Sequence, residues 1–444
     1  MKRMMILLLA LAMALQLAAC ARVERLKDVE LPPLPTVTVK PEATIAPVEV
    51  PAAPVETPAP QESADGESAE EAMRQSVIVN FRKTAYTEFD PANGEQQILD
   101  FSYVTPHVTI PGREAAADAI NEYIAMLDES YYTGNDYGDG VSDGYNGFLE
   151  QALDNFSYVH ETGADMPLEF FSERTAEVPR ADGRVLSLYF NTSTYTGGAH
   201  GIYVGSAYVF DTETGSLLSL DRITPDYEAF SALVVEKMLE QAHADADLSA
   251  AISSFIEEKD WAFSFARLLR EGSWYLDENG LVLFSTLYEL APYAAGIQSF
   301  TVSYEELGEL LDPRYRVGDR QAEGGFTFLR MSQVEEGSVP VLDFVQAAQD
   351  AEQLCLISGE RVYDVTLSRV GYLEEENTYY KTEILWFCSV MQNEAVQLSA
   401  NLVGADTQLL LSYRSGDGQH RALLSMSAED GSPRLVEDGF TLYE

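Results

Sequence analysis

Apolar and polar positions alternate most cleanly over residues 186–220. Leu186, Leu188 and Phe190 alternate with Ser187, Tyr189 and Asn191, the two-residue period of a half-buried strand. A second run, residues 202–210, is rich in aromatic and β-branched side chains. After the turn Glu213-Thr214-Gly215, residues 216–220 read as a third strand. Between the first two runs lies Tyr195-Thr196-Gly197-Gly198-Ala199-His200-Gly201. Paired glycines take positive φ without steric cost, so this pattern predicts a tight, exposed turn on a sheet edge.

The same alternation at Val77, Val79 and Phe81, a turn over 90–94 and an apolar run over 98–104 predict an earlier strand pair. The period then changes. Ala116, Ile120, Tyr123, Ile124 and Leu127 recur at helical spacing within residues 111–132, which gives one apolar face. A further helix is expected over 145–156. Downstream, Asp226 is placed to cap a helix over 227–243, with Phe230, Leu233, Val234, Met238 and Leu239 on its apolar side. Helical segments follow at 248–257 and 261–270. The run Trp274-Tyr275-Leu276, the turn Asp277-Glu278-Asn279-Gly280 and residues 281–287 predict a hairpin, since Asn-Gly is a strong turn signal. A strand at 300–304 and a short helix at 305–311 close this part before Pro313. From residue 318 the pattern is strands alone, at 326–331, 354–357, 362–370, 379–391, 395–403, 409–413 and 422–427, as in a sandwich or barrel. The expected fold class is α+β: antiparallel sheets with packed helices, then a β-rich C-terminal module.

The N-terminus has a different character. Lys2 and Arg3 precede an apolar run over 4–15 that is shorter than the ~20 residues a membrane-spanning helix needs, so residues 1–20 read as a targeting segment. Its end, Leu17-Ala18-Ala19-Cys20, resembles a bacterial lipobox. That resemblance implies a lipoprotein signal peptide cut before Cys20, and palmitate-type acylation of the Cys20 thiol. Acyl chains contribute ~0.8 kcal/mol per buried CH₂. Residues 21–75 carry Pro32, Pro33, Pro35, Pro41, Pro47, Pro51, Pro54, Pro58 and Pro60 with hardly an aromatic. Proline removes backbone donors and favours polyproline II, so a disordered, semi-rigid linker is expected. The division that follows is 76–185 as an N-terminal α+β domain, 186–317 as a second α+β domain and 318–444 as the β-rich module.

Charge narrows the choice of partner. The 444 residues carry 28 Lys+Arg against 72 Asp+Glu, a formal net charge of −44. Such a surface repels phosphate backbones and anionic headgroups, which argues against nucleic acid and favours cationic partners. Candidate chemistry is sparse. The five histidines, His107, His160, His200, His243 and His420, show no His-x-x-x-His spacing, and there is no Cys-x-x-Cys, so zinc sites lack a basis. Neither a Gly-x-Ser-x-Gly elbow nor a phosphate loop occurs. A calcium-loop skeleton starting at Asp139, with Asp143, Gly144 and Glu150 in register, fails at Val141, where an oxygen ligand is required. Cys355 and Cys388 sit among apolar neighbours and read as buried thiols or a disulfide, the thiols being favoured. No catalytic, metal or cofactor site is assigned.

Three segments carry a resemblance: the Thr-Gly-Gly-Ala-His-Gly turn at 196–201, Phe210-Asp211 with Thr214-Gly215, and Tyr288-Glu289-Leu290-Ala291-Pro292-Tyr293-Ala294-Ala295-Gly296. Together they resemble the extracellular domain shared by the RsiV anti-sigma factors and the peptidoglycan deacetylase PdaC, over residues 101–315. In PdaC the chemistry belongs to a separate deacetylase domain with its own Asp and metal-binding His motif, and no such motif occurs here. In RsiV the outward domain recognises lysozyme. The resemblance therefore implies a non-enzymatic cell-surface lipoprotein, lipid-anchored at Cys20 on the extracellular face of a bacterial cell membrane. Its partner would be lysozyme, another basic wall protein or peptidoglycan. The alternative is a peptidoglycan-modifying hydrolase with a site of another kind, in which His200 would act as base. The expected ligand-binding residues are Tyr195, Gly197, Gly198, His200, Tyr288, Pro292 and Tyr293, which set aromatic side chains beside glycines and so offer rigid contact area.

Overall fold

Strands β1 (Ile78–Phe89) and β2 (Gln97–Thr109) pair along their whole length as a hairpin. Helices α1 (Glu114–Thr133) and α2 (Tyr145–Thr162) then carry the chain over the sheet to β3 (Phe170–Ala181), which pairs with β2 in parallel. A parallel pair needs such a crossover; alternation alone gave no sign of β3. Strands β4 (Val185–Tyr195) and β5 (Ile202–Asp211) continue the sheet antiparallel. The computed structural model describes residues 76–443 apart from 92–93, 135–142, 165, 318–324, 405–406 and 416–417. The targeting segment with Cys20, the linker and the start of the Asp139 loop lie outside the described residues.

Alternation along β4 and β5 decides which helices cover which face. Leu186, Leu188, Phe190 and Phe210 pack with Ile120 and Ile124 of α1, while Val185 and Val209 point the other way. That second face is covered by α3 (Tyr227–Ala244), α4 (Ala246–Ser253) and α5 (Trp261–Ala266), followed by a three-stranded sheet of β6 (Trp274–Leu276), β7 (Gly280–Phe284) and β8 (Ser299–Ser303). The side chain of Asp226 accepts from Ala229 N at 3.1 Å and so caps α3, and Phe230, Val234, Met238 and Ala242 form its buried stripe. Each large apolar side chain so buried contributes about 1.5–3 kcal/mol. The expected hairpin at 274–287 is present, in the register Trp274↔Leu283. Its glycine is needed for space rather than for φ: a Cβ on Gly280 would lie 2.1 Å from the Val302 carbonyl oxygen. The third strand expected over 216–220 does not form. Leu218 N donates to Val209 O at 2.7 Å, but Leu218 and Leu220 both turn into the α3 core, and the chain leaves the sheet through a 3₁₀ turn at Leu220–Arg222.

A short helix α6 (Tyr304–Leu307) precedes the C-terminal strands: β9 (Phe326–Arg330), β10 (Val341–Gln346), β11 (Glu352–Ser358), β12 (Val362–Leu373), β13 (Thr378–Val390), β14 (Ala395–Ala400), β15 (Leu409–Ser415), β16 (Gly418–Met426), β17 (Pro433–Val436) and β18 (Thr441–Tyr443). β10-β14-β11-β9 form a four-stranded sheet. The order β17-β16-β15-β12-β13 continues through β1 into β2-β3-β4-β5, so one sheet spans the protein, with β18 beside β13. Residues of both sheets, among them Leu354, Val396 and Leu398 facing Leu367, Trp386 and Leu411, share one core; this is a sandwich. Cys355 and Cys388 are free and buried; Cys388 belongs to this core, whereas Cys355 lies on the opposite face of β11 from Leu354 and Leu356, and burial pushes both thiols up. The seam is short: β1 meets β13 at Val79↔Phe387 and Asn80↔Trp386. Asp343 of β10 reinforces it, its carboxylate accepting from Asn80 Nδ2 at 3.0 Å and Trp386 Nε1 at 2.8 Å.

The expected boundary at 185/186 falls inside the β3–β4 hairpin, which runs from Phe171↔Tyr195 to Ala181↔Leu186. The buried Arg180 ties that hairpin to the end of the helical half. It bonds Asp182 at 2.7 Å, the Tyr304 hydroxyl at 2.8 Å and the Tyr315 carbonyl at 2.5 Å. Among the described residues, no helix is long and apolar enough to cross a membrane.

Candidate functional site

The β4–β5 turn sits where the sheet ends. Gly197 and Gly198 have φ of 87° and 98°, values that side-chain-bearing residues rarely adopt, and these allow the reversal. The Tyr195 hydroxyl donates back to the Gly198 carbonyl at 3.1 Å, and the Tyr195 ring stacks on Phe171 of β3 at 6.0 Å. His200 is exposed. Its Nδ1 lies 2.9 Å from the Gly201 carbonyl oxygen; a carbonyl can only accept, so Nδ1 donates this bond.

The 288–296 loop joins β7 to β8 and comes to meet this turn. Tyr293 stacks on the His200 ring with centroids 3.8 Å apart and planes 23° from parallel, and its hydroxyl donates to the Gly201 carbonyl at 2.8 Å. Tyr288 lies 5.8 Å from Tyr293, centroid to centroid, and Tyr203 of β5 lies 6.1 Å away on another side. Pro292, with φ of −60°, leads into a 3₁₀ turn at Tyr293–Ala295. Tyr288 is 51% exposed, yet its backbone is left-handed, φ 61°.

A buttress holds the loop from behind. Arg270 makes a two-pronged pair with Glu289, at 2.6 and 2.8 Å, and Glu289 also accepts from Thr286 N at 2.9 Å and Thr286 Oγ1 at 3.2 Å. Burial works to raise the Glu289 carboxyl, but these partners hold it below the usual carboxylate range. Thus Tyr195 at the end of β4, Gly197, Gly198 and His200 in the turn after it, and Tyr288, Pro292 and Tyr293 in the second loop belong to two segments that touch through Tyr293, His200 and Gly201. Pattern reading gave no site role to Tyr203 or Arg270, nor to Glu289 and Gly296 within the 288–296 segment. A Cβ on Gly296 would come 3.1 Å from the Tyr203 hydroxyl, a contact no sequence window shows, and the ion pair joins residues 19 apart. Among the described residues, no group of three or more His, Cys, Asp or Glu side chains is arranged to hold a metal ion.

The contact between the loops coincides with a junction between two known families. Residues 92–203, which include His200, match the family described as Deacetylase PdaC. Residues 222–305, which include Tyr293, match the family described as Protein of unknown function (DUF3298). Both matches are to families of the PdaC/RsiV-like extracellular, cell-envelope type. Two crystal structures of DUF3298 family proteins are similar to the chain. One, from Bacteroides fragilis, is 18% identical with a TM-score of 0.40, covering 53% of this chain and 94% of its own. The other, from Pseudomonas aeruginosa, is 17% identical with a TM-score of 0.37, covering 54% and 98%. No curated protein matches the chain. The Tyr293–Gly201 hydrogen bond and the Tyr293–His200 stack run from the DUF3298 part to the PdaC part.

Proposed function

We propose that the protein is a non-enzymatic, lipid-anchored binding protein of the bacterial cell surface, and that its two aromatic loops form one recognition site for a basic, wall-associated protein such as lysozyme. One observation carries this reading: Tyr293 bonds to Gly201 across 92 residues of sequence, gathering Tyr288, Tyr203 and His200 around one accessible point. Tyrosine clusters of this kind supply large contact area with few rotatable bonds and dominate many interfaces. The net charge of −44 speeds encounter with a cation more than it adds affinity.

Titration of the purified chain against lysozyme tests the reading. Binding is expected at micromolar affinity or tighter, with an on-rate that falls as salt shortens the Debye length to ~10 Å at 0.1 M. Tyr293→Ala is expected to cost about 2 kcal/mol or more, and His200→Ala, which removes the ring it stacks on, a lesser loss in the same direction. Absence of binding at low salt refutes the partner. Binding that survives both substitutions refutes the site, and release of sugars or acetate from peptidoglycan by the purified chain would make it an enzyme instead.

A further inference from the structure

We propose that the free edge of β5 takes an extended, basic segment of a partner protein as an added antiparallel strand. β5 is the last strand of the large sheet. From Ala207 onward its outer side is already occupied: Ala207 N donates to Gly272 O at 2.9 Å, Leu218 N donates to Val209 O at 2.7 Å, and Asp211 N donates to Ser216 O at 2.9 Å. In an antiparallel strand, alternate residues turn both backbone groups to the same side. The register with β4 runs unbroken from Thr194↔Ile202 to Val185↔Asp211. Tyr203 and Gly205 therefore aim their N–H and C=O groups outward in the same row. Among the described residues, no strand or bridge reaches them. Natural edges are commonly shielded by lysine, proline or a bulge; Ile202-Tyr203-Val204-Gly205-Ser206 has none of these.

The flanks of this slot define what fits it. Side chains alternate across a strand. On the α1 face, Ile202 and Val204 are 55% and 42% exposed, which suits an apolar residue opposite Val204. The exposed Glu271, next to Gly272 and beside Tyr123 and Tyr208, adds a carboxylate at the closed end of the slot. On the other face Tyr203 lies beside Tyr293, and Tyr293 beside Tyr288; a guanidinium packs well on such rings. The net charge of −44 draws the same class of partner. The bridge at Ala207↔Gly272 is antiparallel, which sets the direction of a strand laid in line with it. Main-chain bonds to Tyr203 and Gly205 supply affinity and the alternate side chains specificity, as strand addition does elsewhere. The slot adjoins the loop site, and its assignment rests on that reading of a basic partner, though not on lysozyme itself.

The probe is the peptide acetyl-Lys-Arg-Val-Arg-Lys-amide, titrated by calorimetry into the full-length chain in mild detergent at about 0.15 M salt. With its valine opposite Val204, both arginines turn their backbone N–H groups to Tyr203 and Gly205. Binding is expected with a Kd below about 100 μM, together with slowed hydrogen exchange at the Tyr203 and Gly205 amides. Methylating the two arginine backbone nitrogens is expected to weaken it at least about tenfold, whereas methylating the valine nitrogen, which faces solvent, leaves it unchanged. Val204→Lys and Glu271→Gln, both at exposed positions, are expected to weaken it as well. Equal binding of the arginine-methylated peptide, unchanged exchange at Tyr203 and Gly205, or indifference to Val204→Lys would each overturn the proposal. So would dimerisation of the chain through this edge, which would seat a second copy there. The loop site is tested apart from the slot: Tyr293-dependent lysozyme binding without peptide binding removes only the slot, and peptide binding without lysozyme binding removes only that partner.

Discussion

Tyr288 pairs two properties that usually exclude one another, a large exposed side chain and a left-handed backbone at φ 61°. For a bulky residue that conformation costs roughly 1–2 kcal/mol, and such costs gather where function requires a particular aim. Asparagine tolerates left-handed φ far better. Tyr288→Asn is therefore expected to melt no lower than the native chain in a thermal scan, while lysozyme binding weakens; a clear fall in melting temperature would show the ring to be structural. Residues of this loop were legible because tyrosines beside glycines stand out locally. The pair that fixes them was not: Arg270 and Glu289 are ordinary surface residues in any sequence window, and their bond exists only because β6 and β7 turn the chain back between them.

Elements were legible in proportion to how far they obey their own period. Helix α3 has a cap, a stripe and an end, and it appears where expected. Strand β3 hides because Pro179 and Arg180 interrupt it; the register shift between Glu177 and Arg180 absorbs the proline, as bulges do. Strands β10, β17 and β18 are short and lie at sheet margins or in parallel pairs that alternation does not announce. Of these, β10 matters most, through Asp343. Asp343→Ala removes the acceptor of Trp386 Nε1 and Asn80 Nδ2 together. A stranded buried donor costs about 1–3 kcal/mol, and a charged acceptor adds to it. Urea unfolding of the variant is expected to show a loss of about 2–3 kcal/mol; a loss below about 0.5 kcal/mol, the range of inert surface changes, would mean that the seam does not depend on it.

At the scale of the whole molecule, the Arg180–Asp182 pair joins the sheet to the helical half. Burial alone would raise the Asp182 carboxyl, yet the Arg180 charge and the backbone N–H groups of Arg184 and Val185 hold it below the usual carboxylate range. A carboxyl lowered by folding stabilises the protein above its unfolded pKa, and that contribution is lost as pH falls through its folded pKa. Asp182→Asn leaves Arg180 uncompensated and is expected to cost about 3–5 kcal/mol at neutral pH. The gap between variant and native chain is expected to narrow as pH falls below the carboxylate range. A gap that stays constant with pH, followed by denaturant titration, would show the pair to be held by packing instead.

Strand β1 has one more consequence, which is mechanical. It is the first strand after the proline-rich segment and lies inside the sheet, with β2 on one side and β13 on the other. Tension arriving along the preceding chain enters the fold at Ile78. Against β2 it meets a ladder running from Ile78↔Thr109 to Phe89↔Gln97, loaded in shear. Against β13 it meets a seam of two residue pairs. The β13 side has fewer residue pairs to break, so force applied at Ile78 is expected to part the C-terminal sandwich from β1 before the β1–β2 ladder gives way.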